Sequence, residues 1–250
     1  MVRGLDVFRK HFTGFEDRFV LIGGVACDLA MEQAGLEFRA TKDFDIVLCI
    51  EALDAEFVNR FWDFVEAGGY QQREKSDGKQ EYYRFIKPAE STYPEMLELF
   101  SRTPLEFEIP ESSHLTPIPV DQEIDSLSAI LLDTDYYECI QQGRQMIDGI
   151  PVLGVEYILP FKAKAWLENT KRKQEGDKVD SRDIRKHRND VFRLFPLLVP
   201  GQRVEISEAI RQDMSQFIEA MPNEDGLIIT DLGIRNAPLE AVLSTLSSIY

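Results

Sequence analysis

Between Phe19 and Ile50 the chain follows an order that few folds share. An apolar run, Phe19-Val20-Leu21-Ile22, stops at Gly23-Gly24. About a dozen residues of helical pattern follow, and a second run reads Thr41-Lys42-Asp43-Phe44-Asp45-Ile46-Val47-Leu48. This predicts strand, glycine turn, helix and strand. Side chains alternate faces along a strand, so Asp43 and Asp45 leave on the same face. Ile46 to Leu48 are apolar enough to bury, which places the pair at the mouth of a core strand. Two such carboxylates repel unless a positive charge lies between them, and a divalent metal is the usual solution. Glycines at 23 and 24 allow a tight turn and the close approach of a ligand. The N–H groups that open the next helix form an anion site. A plain strand-to-helix turn is the other reading of the same two glycines.

Around this stretch, strands and helices alternate up to about residue 154. Residues 4 to 17 predict a helix, with Leu5, Phe8, Phe12 and Phe15 at spacings of three and four. Residues 52 to 67 predict another, with Phe57, Phe61, Phe64 and Val65 inward and Gly68-Gly69 as its stop. Ser76-Asp77-Gly78-Lys79 marks a hairpin between residues 70 to 75 and 81 to 86. Met96-Leu97-Glu98-Leu99-Phe100 alternates as a strand, and an acid among such neighbours is costly to bury without a partner. Residues 103 to 124, rich in Pro, Ser and Glu, predict an irregular excursion, and 126 to 132 a strand. Residues 136 to 147 and 150 to 153 flank Asp148-Gly149, a second hairpin signal. From Val155 the pattern is helical. One helix runs through Lys162-Ala163-Lys164, and a charged loop covers 171 to 178. A helix capped by Asp180 or Ser181 ends at Pro196, and two more span about 204 to 220 and 237 to 249. The expected fold is α+β: a mixed sheet with helices packed on it over residues 1–154, then a helical C-terminal domain over 155–250.

Composition narrows the function classes. A 44% apolar content over 250 residues is ample for a core. No uninterrupted apolar run approaches about 20 residues, so no membrane span is expected. Charges at Arg3, Asp6, Arg9 and Lys10 and the lack of an apolar segment there argue against a secretory signal. Cys27, Cys49 and Cys139 have no metal-ligand spacing, and reduced thiols in a cytoplasm are the simplest reading. A net charge of -16 argues against broad, non-specific nucleic-acid binding. The tract from Lys162 to Arg193 runs the other way, with 11 Lys/Arg against 6 Asp/Glu. It reads as a local basic site or as a solvated helix face. Within it Asp183, His187 and Asp190 fall on one helical face. His11 and His114 read as surface or structural residues.

The order of glycine turn, helix and Asp-x-Asp strand resembles the signature of the nucleotidyltransferase (polymerase-beta-like) superfamily, most of all its AbiEii/AbiGii-type toxin branch. The resemblance covers roughly residues 19 to 195. It implies a Mg2+-dependent transfer of a nucleoside monophosphate from a nucleoside triphosphate to an acceptor. It implies that Asp43, Asp45 and a third carboxylate on a later strand hold one or two Mg2+ ions. Glu98 resembles that third ligand, where the family more often has Asp, and Glu95 is its rival. Gly23, Gly24, Thr41 and Lys42 would lie near the phosphates, although a surface loop explains Lys42 and Arg39 equally well. Phe161 to Trp166 followed by Arg182-Asp183-Ile184 resembles the second half of the AbiEii-type family. Lys162 or Lys164 would then contact the triphosphate, and Asp183 would lie near the reacting groups. One departure is that Gly24 stands where many members have Ser, so a hydroxyl to the phosphates is missing and backbone N–H groups would replace it. The implied partners are a tRNA end or other RNA acceptor and a separate antitoxin protein. A cationic small-molecule acceptor of the aminoglycoside type suits the -16 charge better. A catalytically inactive nucleotide- or protein-binding module of the same fold is the remaining alternative.

Overall fold

A computed structural model describes residues 2–49, 54–71, 82–100, 118–119, 130, 133–199 and 201–250. The chain divides into two compact units. The first comprises Met1–Ile124 and Arg144–Leu153, the second Asp125–Gly143 and Gly154–Tyr250. This differs from a single cut at 154, because a helix before that point belongs with the second unit. The architecture is α+β with a mixed sheet.

In the first unit the described elements are α1 (Leu5–His11), β1 (Phe19–Ile22), α2 (Gly23–Gln33), β2 (Asp43–Leu48), α3 (Ala55–Gly68), β3 (Tyr82–Ile86), β4 (Met96–Phe100) and β5 (Ile118–Pro119). The hairpin strands β6 (Arg144–Ile147) and β7 (Ile150–Leu153) complete it. The strands form one sheet in the order β5-β3-β4-β2-β1-β7-β6. β1 pairs antiparallel with β2 and parallel with β7, whereas β2 and β4 run parallel. The central strand β1 is buried at all four positions, which explains its unbroken apolar run.

Alternation along the strands sorts the two faces. Phe19, Phe44, Leu97 and Phe85 share one face through their registers. There Phe8 of α1 meets Phe44 and Phe19 at 5.4 Å and Phe64 of α3 at 5.5 Å between ring centroids. Edge-to-face aromatic packing of this kind adds to the area buried. Helix α3 is capped by the Asp54 carboxylate, which accepts from the Phe57 N–H at 2.8 Å. It ends at Gly69, whose φ of +60° suits glycine.

α1 and α3 are also tied by a reciprocal pair of hydrogen bonds. His11 Nε2 donates to the Arg60 carbonyl and Arg60 Nε donates to the His11 carbonyl, each at 2.8 Å. Burial holds the His11 pKa below the usual 6.5. The unfolded chain therefore takes up this proton first as the pH falls. The stabilisation is present above about pH 6.5 and is lost as the pH drops through the folded value. Thermal unfolding at about pH 7 and pH 5 checks this. The Tm is expected to fall in acid, and to fall less in His11→Gln; equal falls would count against it.

Several sequence expectations change here. The first helix stops at His11, with a 3-10 turn at Glu16–Arg18 instead of one continuous helix to 17. Residues 136 to 143, read above as hairpin strand, lie in α4 (Thr134–Gly143) of the second unit. The hairpin itself is shorter and turns at Asp148 (φ 49°) and Gly149 (φ 76°), the left-handed pair a two-residue turn needs. The turn expected at 76 to 79 lies outside the described residues. So does the strand expected at 126 to 132, apart from Ile130, which is helical. In the expected irregular stretch, Ile118–Pro119 pairs with β3.

The second unit is helical. Besides α4 it contains α5 (Val155–Gln174), α6 (Ser181–Leu194), α7 (Glu208–Ala220) and α8 (Leu239–Ile249). Asp180 caps α6 and Ser207 caps α7 through their side chains. Trp166 meets Phe217 edge-on at 5.4 Å, and Tyr136 meets Phe161 at 4.9 Å. Arg188, almost fully buried, donates to Glu224 at 2.9 Å and to the Asp225 carbonyl at 3.1 Å, which fixes the turn after α7. No helix among the described residues is long and apolar enough to cross a membrane.

Candidate active site

The face of the sheet opposite the phenylalanines carries the charged residues. Ile22, Asp45, Glu98 and Arg84 stand in one register row across β1, β2, β4 and β3. Asp43 lies two residues before Asp45 and shares its face. Asp45 is 9% exposed and Glu98 6%, so both carboxylates are largely withdrawn from water. Burying two acids side by side is unfavourable without compensating charge or donors. Part of the compensation is Arg84. Its Nε donates to Glu98 Oε1 at 2.6 Å, and its Nη2 is ion-paired with the same oxygen.

The start of α2 is built against this row. Gly23 has a φ of +63° and is the first residue of the helix. A Cβ at that position would overlap the Asp45 carboxylate, with the carboxyl carbon only 2.7 Å away. Only glycine admits both the backbone angle and the neighbour. At Gly24 an added Cβ would overlap the Thr41 hydroxyl, with the Thr41 Cβ at 2.9 Å. The hydroxyl that a serine at 24 would bring is thus supplied to the same spot by Thr41, from the segment that enters β2. The helix start, with N–H groups that have no partner within the helix, therefore faces a threonine hydroxyl and an aspartate.

A groove of about 630 Å³ lies beside Thr41, lined in part by Asp28, Glu32, Glu37, Lys42 and Glu95. Burial raises the pKa of Asp28. Lys42 donates to Glu95 at 3.1 Å, and both side chains are well exposed. Glu95, the rival third carboxylate, is therefore the partner of Lys42. Arg39 lies over the Phe38 ring at 5.1 Å and donates to the Ala40 carbonyl.

The second unit holds the other expected residues. Lys162 is 4% exposed and lies 3.4 Å from Asp190, which is fully buried and also 3.3 Å from Arg193. Lys164 pairs with Asp213 at 3.1 Å and with Glu168 at 3.9 Å. Asp213 also accepts from the Tyr136 hydroxyl at 2.9 Å. Asp183 is exposed, whereas His187 and Asp190 are buried, so the face expected to hold all three is split between water and core. The three cysteines are free and buried, and burial pushes the Cys139 thiol up to about 12, which makes it a packing residue rather than a nucleophile. His114 lies outside the described residues.

The carboxylates were tested as a metal site. Their oxygens are the hard donors that Mg2+ takes, and Asp43 and Asp45 leave on one face beside an anion-binding helix start. Among the described residues no group of three or more His, Cys, Asp or Glu is arranged as a cation cage. The donor set fits a cation at the Asp43–Asp45 end, while Glu98 is engaged by Arg84. Arg84 and Asp190 were not singled out from the sequence. Arg84 had a signal: Tyr82-Tyr83-Arg84-Phe85-Ile86 and Met96-Leu97-Glu98-Leu99-Phe100 each carry one charge, of opposite sign, at the centre of an apolar run. Antiparallel pairing brings the two together. No protein-family model matches this chain, and a search of the curated proteins finds no significant match.

Proposed function

We propose that the protein is a Mg2+-dependent nucleotidyltransferase that moves a nucleoside monophosphate from a nucleoside triphosphate to an acceptor hydroxyl. The observation that carries this reading is the packing of Asp45 against Gly23 at the helix start, beside Glu98 in the same row and Asp43 on the same face. Phosphates and carboxylates otherwise repel, so an acidic row against an anion-binding helix start makes chemical sense when a cation joins them. Asp43 and Asp45 would hold the ion. Bound there, Mg2+ would neutralise phosphate charge and polarise the α-phosphate. The N–H groups of α2 and the Thr41 hydroxyl bind phosphate oxygens. The acceptor oxygen forms a bond to the α-phosphorus, the bond to the β-phosphate oxygen breaks, and pyrophosphate leaves. The hydroxyl proton passes to a carboxylate of the row.

The acceptor class follows from the second unit. Its basic tract, 11 Lys/Arg against 6 Asp/Glu between Lys162 and Arg193, favours an RNA end. This accords with the toxin-type resemblance, in which a separate antitoxin protein is the partner. A second reading has its own observation: the groove beside Thr41 is lined by Asp28, Glu32, Glu37 and Glu95, which favours a cationic small molecule. Lys162 and Lys164 are held by Asp190 and Asp213, so a direct role on the triphosphate would require those pairs to open.

Calorimetric titration of ATP, GTP, CTP and UTP in Mg2+ tests the reading. Binding of at least one triphosphate is expected, and Asp43→Ala/Asp45→Ala is expected to weaken it by roughly 100-fold or more, the scale of several kcal/mol lost with a metal clamp. A folded wild-type chain that binds none of the four would favour the inactive binding module instead.

A further inference from the structure

The carboxylates on this face do not share one environment. Asp45 abuts the start of α2, whereas Glu98 meets a guanidinium from the neighbouring strand. The Glu98 side chain is 9% exposed and that of Arg84 33%, so their charges are poorly screened by water. Two donors of Arg84 converge on one oxygen of Glu98, a fork geometry that fixes the carboxylate in orientation as well as charge. Three carboxylates and this one guanidinium leave an excess of two negative charges, which a single divalent cation balances. We propose that Arg84 is a positioning residue that supplies the positive charge at the Glu98 end of the row, so that the site takes one divalent cation, at Asp43 and Asp45, rather than two. The inference rests on the nucleotidyltransferase reading of the site and deepens it. A guanidinium stays charged at every working pH and needs no free ion, so half of the row is neutralised before any metal arrives.

Mn2+ titration of the full chain, followed by the electron paramagnetic resonance of the free ion, tests this without any activity measurement. Wild type is expected to bind one Mn2+, Asp45→Asn to lose it, and Glu98→Gln to keep one. Arg84→Gln removes the internal charge and is expected to bind Mn2+ at least roughly tenfold tighter or to take a second ion, while Arg84→Lys stays within about threefold of wild type. Loss of the ion in Glu98→Gln as complete as in Asp45→Asn overturns the inference. So does an Arg84→Gln chain with unchanged affinity and stoichiometry. Circular dichroism confirms that each variant is folded; if Arg84→Gln is not, the Glu98→Gln result decides alone. Wild-type protein that binds no Mn2+ overturns the metal site and the inference together, an outcome distinct from either failure above.

Discussion

Gly23→Ala is expected to disable the candidate site and destabilise the first unit at once. Two costs combine. A non-glycine residue at a φ of +63° costs about 1–2 kcal/mol. The new methyl group also overlaps the Asp45 carboxylate, and forcing extra volume into a packed place costs about 1–3 kcal/mol. Together these are roughly 3 kcal/mol, or a fall of roughly 6–12 °C in Tm for a chain of this size. Because Asp45 must move, Mg2+-dependent triphosphate binding is expected to be lost even where the variant stays folded. Gly14→Ala is the control. Gly14 has a φ of +91° but open space around its Cβ position, so it pays the backbone cost alone. Urea unfolding and calorimetry on both variants separate the terms. Equal losses in the two would mean that contact with Asp45 contributes nothing.

The second large effect belongs to Asp190. Its carboxylate is fully buried between Lys162 and Arg193. Asp190→Ala leaves Lys162, itself 4% exposed, as a buried charge without that counter-ion. Breaking a buried pair from one side typically costs about 3–5 kcal/mol. Arg193 is less affected, because its side chain is 28% exposed and can turn to water. Replacing both partners by apolar groups removes the uncompensated charge, so Lys162→Met/Asp190→Leu is expected to recover most of the loss. Chemical denaturation of the two single variants and the double variant gives the coupling directly. A single variant within about 0.5 kcal/mol of wild type would show that the pair is not a stability element.

The strand, glycine turn, helix and strand between residues 19 and 48 were legible because each signal is local. Period-two alternation put Asp43 and Asp45 on one face, and glycines marked the turn. Glu98 was legible for the same reason, as one acid in an apolar run. Its partner was not weighed, because Arg84 reaches it only through a strand pairing that no local pattern records. The helix at Thr134–Gly143 was misread for a different reason. Tyr136, Tyr137, Cys139 and Ile140 favour strands by residue type, but Tyr136, Tyr137 and Ile140 are spaced to bury one face of a helix. Tertiary packing against Phe161 and the hydrogen bond to Asp213 favour the helix. Asp183 was chosen for its family-like neighbours, whereas burial within α6 falls on His187 and Asp190. Helical spacing indicated a shared face but not how deeply each end of the helix is buried.

The hairpin β6–β7 has a consequence for how the molecule is made. It belongs to the first unit, yet second-unit chain lies on both sides of it in sequence. Neither unit is an unbroken length of polypeptide. On a ribosome the sheet stays open at the β1 edge until Leu153 has emerged, since β7 is the strand that pairs there. By then α4 is already outside, without the later helix that carries Phe217 and Asp213. Each unit therefore waits on chain that the other has interrupted, and the two mature in overlapping rather than successive steps. A fragment beginning at Gly154 would lack Tyr136 and its hydrogen bond to Asp213, so dividing this protein for separate expression takes circular rearrangement rather than a single cut.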